Sequence, residues 1–288
     1  MKLYNNINIK KYNSLNIDYL CKCLIEIDNY LDLSNLIIIL NILDIKYIVI
    51  GNGSKIAFND YYIDMFIIAL KSSKKYTLNK NNELLVFAGD LLKEITTYLL
   101  NKNLGGFHKL SYIPASISGA IFMNAGIKEL SISKYVKYVL TIDKNNKYKI
   151  YNYDECKFDY RYSIFKDNNE VIILVLLITE NIDKNIILKE IKNEYIKRIN
   201  TQGYYKYSCG SLFKNNSKKA YEYISELKLN NQCINGLKFS SIHSNILINN
   251  ANASCFDLLK FVNIIKENVY KKYNINLKLE LNIIDVKK

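Results

Sequence analysis

The only proline in this 288-residue chain, Pro114, lies in the run Ser111-Tyr112-Ile113-Pro114-Ala115-Ser116-Ile117-Ser118-Gly119-Ala120-Ile121-Phe122-Met123-Asn124-Ala125-Gly126. Four of the ten glycines, Gly105, Gly106, Gly119 and Gly126, fall in the same neighbourhood. Glycine lets a main chain turn tightly or approach a ligand with no β-carbon in the way, and proline fixes one dihedral. In a chain otherwise so poor in both, their gathering marks a loop whose backbone shape matters. Read physically, it is a turn that cradles a phosphate. The same residues also fit an ordinary loop that needs glycine only to bend.

The length exceeds that of one compact domain, so two or three packed lobes with a sizeable core are expected. A hydrophobic fraction of 49% against 23% charged residues is that of a globular protein. The net charge of +13 invites a nucleic-acid or membrane partner, but the lysines are spread along the whole length and form no basic block. The excess of Lys, Asn, Ile and Tyr reads as nucleotide bias acting on codons, with some benefit for anionic small ligands. An RNA-binding protein that stacks bases on its many tyrosines stays open at this point.

Cys21, Cys23, Cys156, Cys209, Cys233 and Cys255 form no C-x-x-C pair and no metal-like spacing with His108 or His243, which predicts reduced, mostly buried thiols and no metal site. The N-terminus lacks the apolar core of a secretory signal, and the apolar stretch from Leu36 to Ile50 is interrupted by Asn41, Asp44 and Lys46. A cytoplasmic protein without a membrane partner is expected.

No internal repeat or Pro/Gly/Ser-rich linker is evident, so the lobes must pack closely. Patterning predicts a strand from Tyr19 to Ile27, a helix from Leu33 to Leu43, and a strand from Tyr47 to Ile50 that runs into Gly51-Asn52-Gly53-Ser54. Between Tyr62 and Thr179 strands predominate, interrupted by a helix from Leu91 to Asn101. The run Val171-Ile172-Ile173-Leu174-Val175-Leu176-Leu177-Ile178 predicts a strand covered on both faces. A helix from Lys184 to Ile199 and another from Cys255 to Tyr273, capped by Ser254 and Asp257, belong to the last part. The closing residues alternate, with Leu277, Leu279, Leu281 and Ile283 on one face; Glu280 is expected on the other, away from the core.

Four loops then need one explanation: Gly51 to Ser54, Ile113 to Gly126, Asp159-Tyr160-Arg161-Tyr162-Ser163-Ile164-Phe165, and Ser208-Cys209-Gly210-Ser211-Leu212-Phe213-Lys214-Asn215. With Ser240-x-x-His243-x-Asn245 and the terminal Leu279-Glu280-Leu281, their order resembles the UDP-N-acetylenolpyruvoylglucosamine reductase (MurB) family over practically the whole chain, from about Tyr12 to Asp285. With no room for an extra substrate-covering insertion between Tyr160 and Ser211, the chain is similar to the family's shorter type. Asp18-Tyr19, Tyr112, Ala115 and Ser118 stand where the family has glycines, and Lys238 and Ser241 replace its usual Gln and Glu.

The resemblance implies an α+β fold. Two N-terminal lobes, 1–61 and 62–183, would form an FAD-binding module of the PCMH (vanillyl-alcohol-oxidase-like) type, with a substrate-binding α+β lobe at 184–288. It implies FAD and NADPH as cofactors and a UDP-sugar enol ether as substrate. Gly51, Asn52, Gly53 and Ser54 would meet the FAD diphosphate; Ile113, Pro114, Ser118, Gly119, Asn124, Ala125 and Gly126 would line the rest of the flavin. Arg161, Ser211 and Glu280 would be catalytic, with Ser211 the proton donor, and Tyr160, Lys214, Asn215 and His243 would contact the sugar nucleotide. An FAD-linked alcohol or hydroxy-acid oxidase would share the flavin lobes but leaves the Gly210-Ser211 loop and Glu280 unexplained.

Overall fold

The computed structural model describes residues 1–287. Helices and mostly antiparallel strands are combined in an α+β architecture. The chain divides into two compact units, each assembled from three stretches: Met1–Tyr4, Leu24–Asn52 and Phe66–Tyr195 in the first, and Asn5–Cys23, Gly53–Met65 and Ile196–Lys288 in the second. The boundary passes within the strands Lys2–Asn8, Leu20–Ile27 and Tyr62–Leu70. The segment around Gly53 is built into the same unit as the C-terminal residues. No helix among the described residues is long and apolar enough to cross a membrane.

The first unit is organised on a five-stranded antiparallel sheet in the order Tyr148–Asn152, Val136–Ile142, Val171–Ile178, Glu83–Phe87, Thr77–Leu78. Val175 is paired with Val139 on one side and Val86 on the other, which places the most apolar segment of the chain at the centre. Five of its eight residues are buried, and the Tyr30–Ile42 and Ile117–Phe122 helices contact it. The first helix starts earlier than its apolar pattern, because Asn29 caps it by accepting a hydrogen bond from the Asp32 N–H.

In the second unit a four-stranded antiparallel sheet runs Ser208–Ser211, Ile246–Asn249, Leu237–Phe239, Cys233–Ile234. The Cys255–Tyr273 helix covers it, with Leu258, Phe261, Val262, Ile265 and Val269 buried and the Phe261 ring edge-on to Phe239 at 5.2 Å. Its capping box between Ser254 and Asp257 is present in both directions. A separate parallel pair joins Asn282–Ile284 to Ile56–Phe58.

The expected terminal strand is shorter than its alternation. Only Asn282–Ile284 is strand; Leu279 makes an isolated bridge to Phe213, and the chain bends at Glu280 and Leu281. The bend turns Glu280 inward, where it is 7% exposed, and overturns its expected place on the solvent face.

Left-handed backbone is supplied mainly by asparagine. Among the described residues, nine of the fourteen non-glycine residues with positive φ are Asn, whereas five glycines share that region. Asparagine tolerates the conformation because its short amide can hydrogen-bond locally, so it replaces the scarce glycine at turns.

Candidate active site

Within the second unit the structure brings Ser211 and Glu280 together. Ser211 ends the Ser208–Ser211 strand opposite Ile246, and the next residue, Leu212, accepts the Glu280 N–H at 2.8 Å through its carbonyl. Asn245 fixes this crossing from behind. Its backbone carbonyl accepts from Leu212 N–H, its Oδ1 accepts from Phe213 N–H at 3.0 Å, and its Nδ2 donates to the Phe213 carbonyl at 2.8 Å. Among the described residues nothing hydrogen-bonds the Ser211 hydroxyl. Gly210 before it has φ +66°, and a β-carbon there would meet only Lys55 Nζ at 3.7 Å; Ser211 itself is half-buried. Cys209 is no rival donor: burial pushes its thiol up to about 11, which leaves it protonated and inert.

Lys55 joins the two candidates. Its ammonium lies 3.0 Å from Glu280 Oε1 and donates to the Ser211 carbonyl at 2.5 Å.

Arg161 belongs to the first unit, in a separate constellation. It adopts φ +54°, and its Nη2 donates to the Gly126 carbonyl at 2.9 Å. Asn124, at φ +41° and 6% exposed, holds the same corner: its Nδ2 donates to the Asp159 carbonyl and its Oδ1 accepts from Ser133 N–H. Two left-handed residues, one in each loop, therefore tie the end of the proline-bearing run to the Asp159–Phe165 loop. Ala125 is tied back by its N–H to the Ala120 carbonyl. The run's start is held by Ile113 N–H to the Leu110 carbonyl and by Ser118 N–H to the Ala88 carbonyl. Ser116 caps the short helix with its Oγ on Gly119 N–H.

Gly51 and Asn52 also lie in the first unit. A β-carbon at Gly51 would meet Ser116 Oγ at 2.0 Å, and Asn52 Nδ2 donates to the Pro114 carbonyl. In the second unit Gly53 has φ +71°, and a β-carbon there would fall 2.0 Å from the Tyr12 carbonyl oxygen. Both obstacles act at once, so Gly53→Ala is expected to destabilise by about 2 kcal/mol or more, read from the urea unfolding midpoint. A midpoint equal to that of the wild type would show that the turn can open without strain.

The substrate candidates divide between the units. Tyr160, half exposed, stays with Arg161, whose guanidinium lies 5.3 Å from its ring centroid. Lys214 N–H donates to the Lys278 carbonyl, and Asn215 Oδ1 accepts from Ala220 N–H at the start of the Ala220–Glu226 helix, a structural task the sequence reading missed. Burial holds the His243 imidazole below its usual range, so it is neutral at pH 7. Its Nδ1 accepts from Asn245 N–H at 3.2 Å, which leaves the proton on Nε2 as a donor.

Comparison with known proteins decides the family. The family described as UDP-N-acetylenolpyruvoylglucosamine reductase, C-terminal domain, matches residues 202–284, and an FAD binding domain matches residues 21–148. A UDP-N-acetylenolpyruvoylglucosamine reductase of Prochlorococcus marinus (strain NATL2A) is 30% identical over 285 residues, spanning 98% of this chain and 97% of that protein. The chain belongs to the UDP-N-acetylenolpyruvoylglucosamine reductase family. A second relative of that name, from Carboxydothermus hydrogenoformans, is 33% identical over 262 residues, 91% of this chain and 87% of its own. The crystal structure of the reductase (MurB) from Thermus caldophilus shares the fold, with a TM-score of 0.81 at 23% identity over 98% of both chains.

Membership in the reductase family implies FAD, and the donor set can be tested against it. Among the described residues nothing accepts a hydrogen bond from the N–H of Gly53 or Ser54, although the carbonyls of both are taken by Ser14. Two neighbouring amides without an acceptor in one turn fit a phosphate oxygen. Two residues that hold this site together escaped the sequence reading. Lys55 directly follows the Gly-x-Gly-Ser turn, which is its one sequence signal; Asn245 stands inside a quoted motif without a role.

Proposed function

We propose that this chain reduces UDP-N-acetylglucosamine enolpyruvate to UDP-N-acetylmuramate with electrons from NADPH, in the cytoplasm, on the way to peptidoglycan. The observation that carries the reading is the Ser211 hydroxyl, which no described residue engages, linked through Lys55 to buried Glu280 in a chain of the reductase family. Segments 1–61 and 62–183 hold FAD, and 184–288 holds the sugar nucleotide. FAD, when bound, would supply the redox chemistry that links NADPH oxidation to hydride addition at the β-carbon of the enolpyruvyl ether.

The chain's own residues handle the charge and the proton. Amides of the Gly51–Ser54 turn hold the cofactor diphosphate, and the Ile113–Gly126 run, with Pro114, Ser118, Gly119, Asn124 and Ala125, shapes the wall along the ring. Hydride addition builds negative charge on the substrate carboxylate. Arg161 offers that charge a planar fork of donors, already aligned by its bond to Gly126. Ser211 gives its hydroxyl proton to the adjacent carbon, which is basic enough to take it only while the charge persists. Lys214, Asn215 and Tyr160 position the sugar nucleotide, and the Nε2–H of neutral His243 donates to it. Glu280 borders the developing charge from the Ser211 side.

The test is direct. Purified protein should be yellow with flavin absorbance, and NADPH oxidation should depend on added UDP-N-acetylglucosamine enolpyruvate. A colourless protein that cannot be reconstituted with FAD, or NADPH oxidation indifferent to the sugar nucleotide, would overturn the reading.

A further inference from the structure

A carboxylate beside an intermediate that gains negative charge is a liability unless its own charge is cancelled. Burial alone can answer this by keeping a carboxyl protonated. The structure offers another answer. Lys55 Nζ lies 3.0 Å from Glu280 Oε1, and the two side chains are only 22% and 8% exposed. As an ion pair the two side chains together carry no net charge.

The lysine is also well anchored. Its backbone carbonyl accepts two hydrogen bonds from Asn282, one from the N–H and one from Nδ2, both at 3.0 Å. Asn282 lies two residues beyond Glu280 and pairs with Ile56, the residue after Lys55, so one parallel strand pair fixes the root of both partners. At its tip the same ammonium holds the Ser211 carbonyl at 2.5 Å. One cation thus spans the residue assigned as proton donor and the carboxyl beside it. A hydroxyl or amide at position 55 is too short for this reach, and an apolar chain would leave a buried charge unpaired.

We infer that Lys55 is the neutralising and positioning partner of Glu280, the group that lets a carboxylate border an anionic intermediate and that sets the Ser211 turn. The inference rests on the reaction proposed above. It gives the reductase site a third cationic requirement from outside the loops that carry Ser211 and Glu280.

The experiment compares Lys55→Met, Lys55→Arg, Glu280→Gln and the Lys55→Met/Glu280→Gln double variant in the FAD-loaded protein. Two readouts are taken: the rate at which UDP-N-acetylglucosamine enolpyruvate reoxidises the NADPH-reduced protein, and the calorimetric Kd for the product, UDP-N-acetylmuramate. Lys55→Met is expected to slow reoxidation on the order of 100-fold and to weaken product binding, with reduction by NADPH unchanged. Lys55→Arg should stay within about tenfold of the wild type, since the charge remains. The deciding arm is the double variant. With the carboxylate gone, the missing cation no longer matters, so the double should bind product more tightly than Lys55→Met and react no more slowly than the worse single variant. Multiplying effects in the double, or a Lys55→Met protein that matches the wild type, would overturn the inference while leaving the reaction standing. If Lys55→Met fails to retain flavin, Lys55→Gln takes its place in the cycle. A wild-type protein that NADPH reduces but the sugar nucleotide cannot reoxidise would remove both the reaction and the inference.

Discussion

Replacing Ser211 by alanine is expected to leave reduction of the flavin by NADPH intact and to lower the subsequent reduction of the sugar nucleotide by about 10²–10⁴-fold, the usual weight of a positioned general acid. The asymmetry follows from geometry. The Ser211 carbonyl and the Leu212 carbonyl carry the contacts to Lys55 and Glu280, and both are backbone groups that alanine keeps. Only the hydroxyl, which no described residue engages, is lost. Cys209 cannot stand in, because it is 3% exposed and its thiol is pushed far above neutrality. Stopped-flow measurement of the two half-reactions separates the outcomes: equal slowing of both would refute the proton-donor role and point to a damaged fold.

The second large effect lies where the sequence analysis saw nothing. Asp90 is fully buried, and its carboxylate accepts five hydrogen bonds: from Ser72 Oγ, Ser73 N–H, Ser73 Oγ and Lys74 N–H on Oδ1, and from Phe87 N–H on Oδ2. Its backbone carbonyl also accepts from Ile117 N–H, within the proline-bearing run. Hydrogen bonds to a charged group are worth about 1.5–3 kcal/mol each, and buried donors left unpaired cost about 1–3 kcal/mol. Allowing for relaxation and water entry, Asp90→Ala should lose about 4 kcal/mol or more of unfolding free energy in urea, with loosened flavin retention as a second sign. A loss below about 1 kcal/mol would mean that the Ser72–Lys74 loop is held by other groups.

Much of the architecture could be read from residue patterns because local rules and tertiary demands agree there. The Cys255–Tyr273 helix has a capping pair and an unbroken apolar stripe, and both ends fall where the pattern puts them. Val171 to Ile178 is apolar throughout and occupies the middle of its sheet. Glu280 shows the opposite case. Strict alternation from Leu277 to Ile283 predicts an outward carboxylate, but the bridge from Leu279 to Phe213 and the bend after it redirect the side chain. A period-two pattern cannot reveal that bend, because its cause lies some seventy residues away in sequence. Lys55 and Asp90 were illegible for a related reason: a lysine after a turn and an aspartate before a helix have the composition of solvated residues, and only their distant partners give them purpose. Arg161 and Ser211 stood out only through the ordered motifs around them.

The asparagines at left-handed positions carry a further consequence. They give the backbone its bends without glycine, but the amide side chain is heat-labile and hydrolyses slowly to a carboxylate. Nine such corners include Asn124, which buttresses Arg161, and Asn274, which closes the long C-terminal helix. Prolonged warming is therefore expected to wear the chain covalently as well as to loosen its packed core, starting at exposed corners such as Asn235, which precedes Gly236, and sparing buried Asn124.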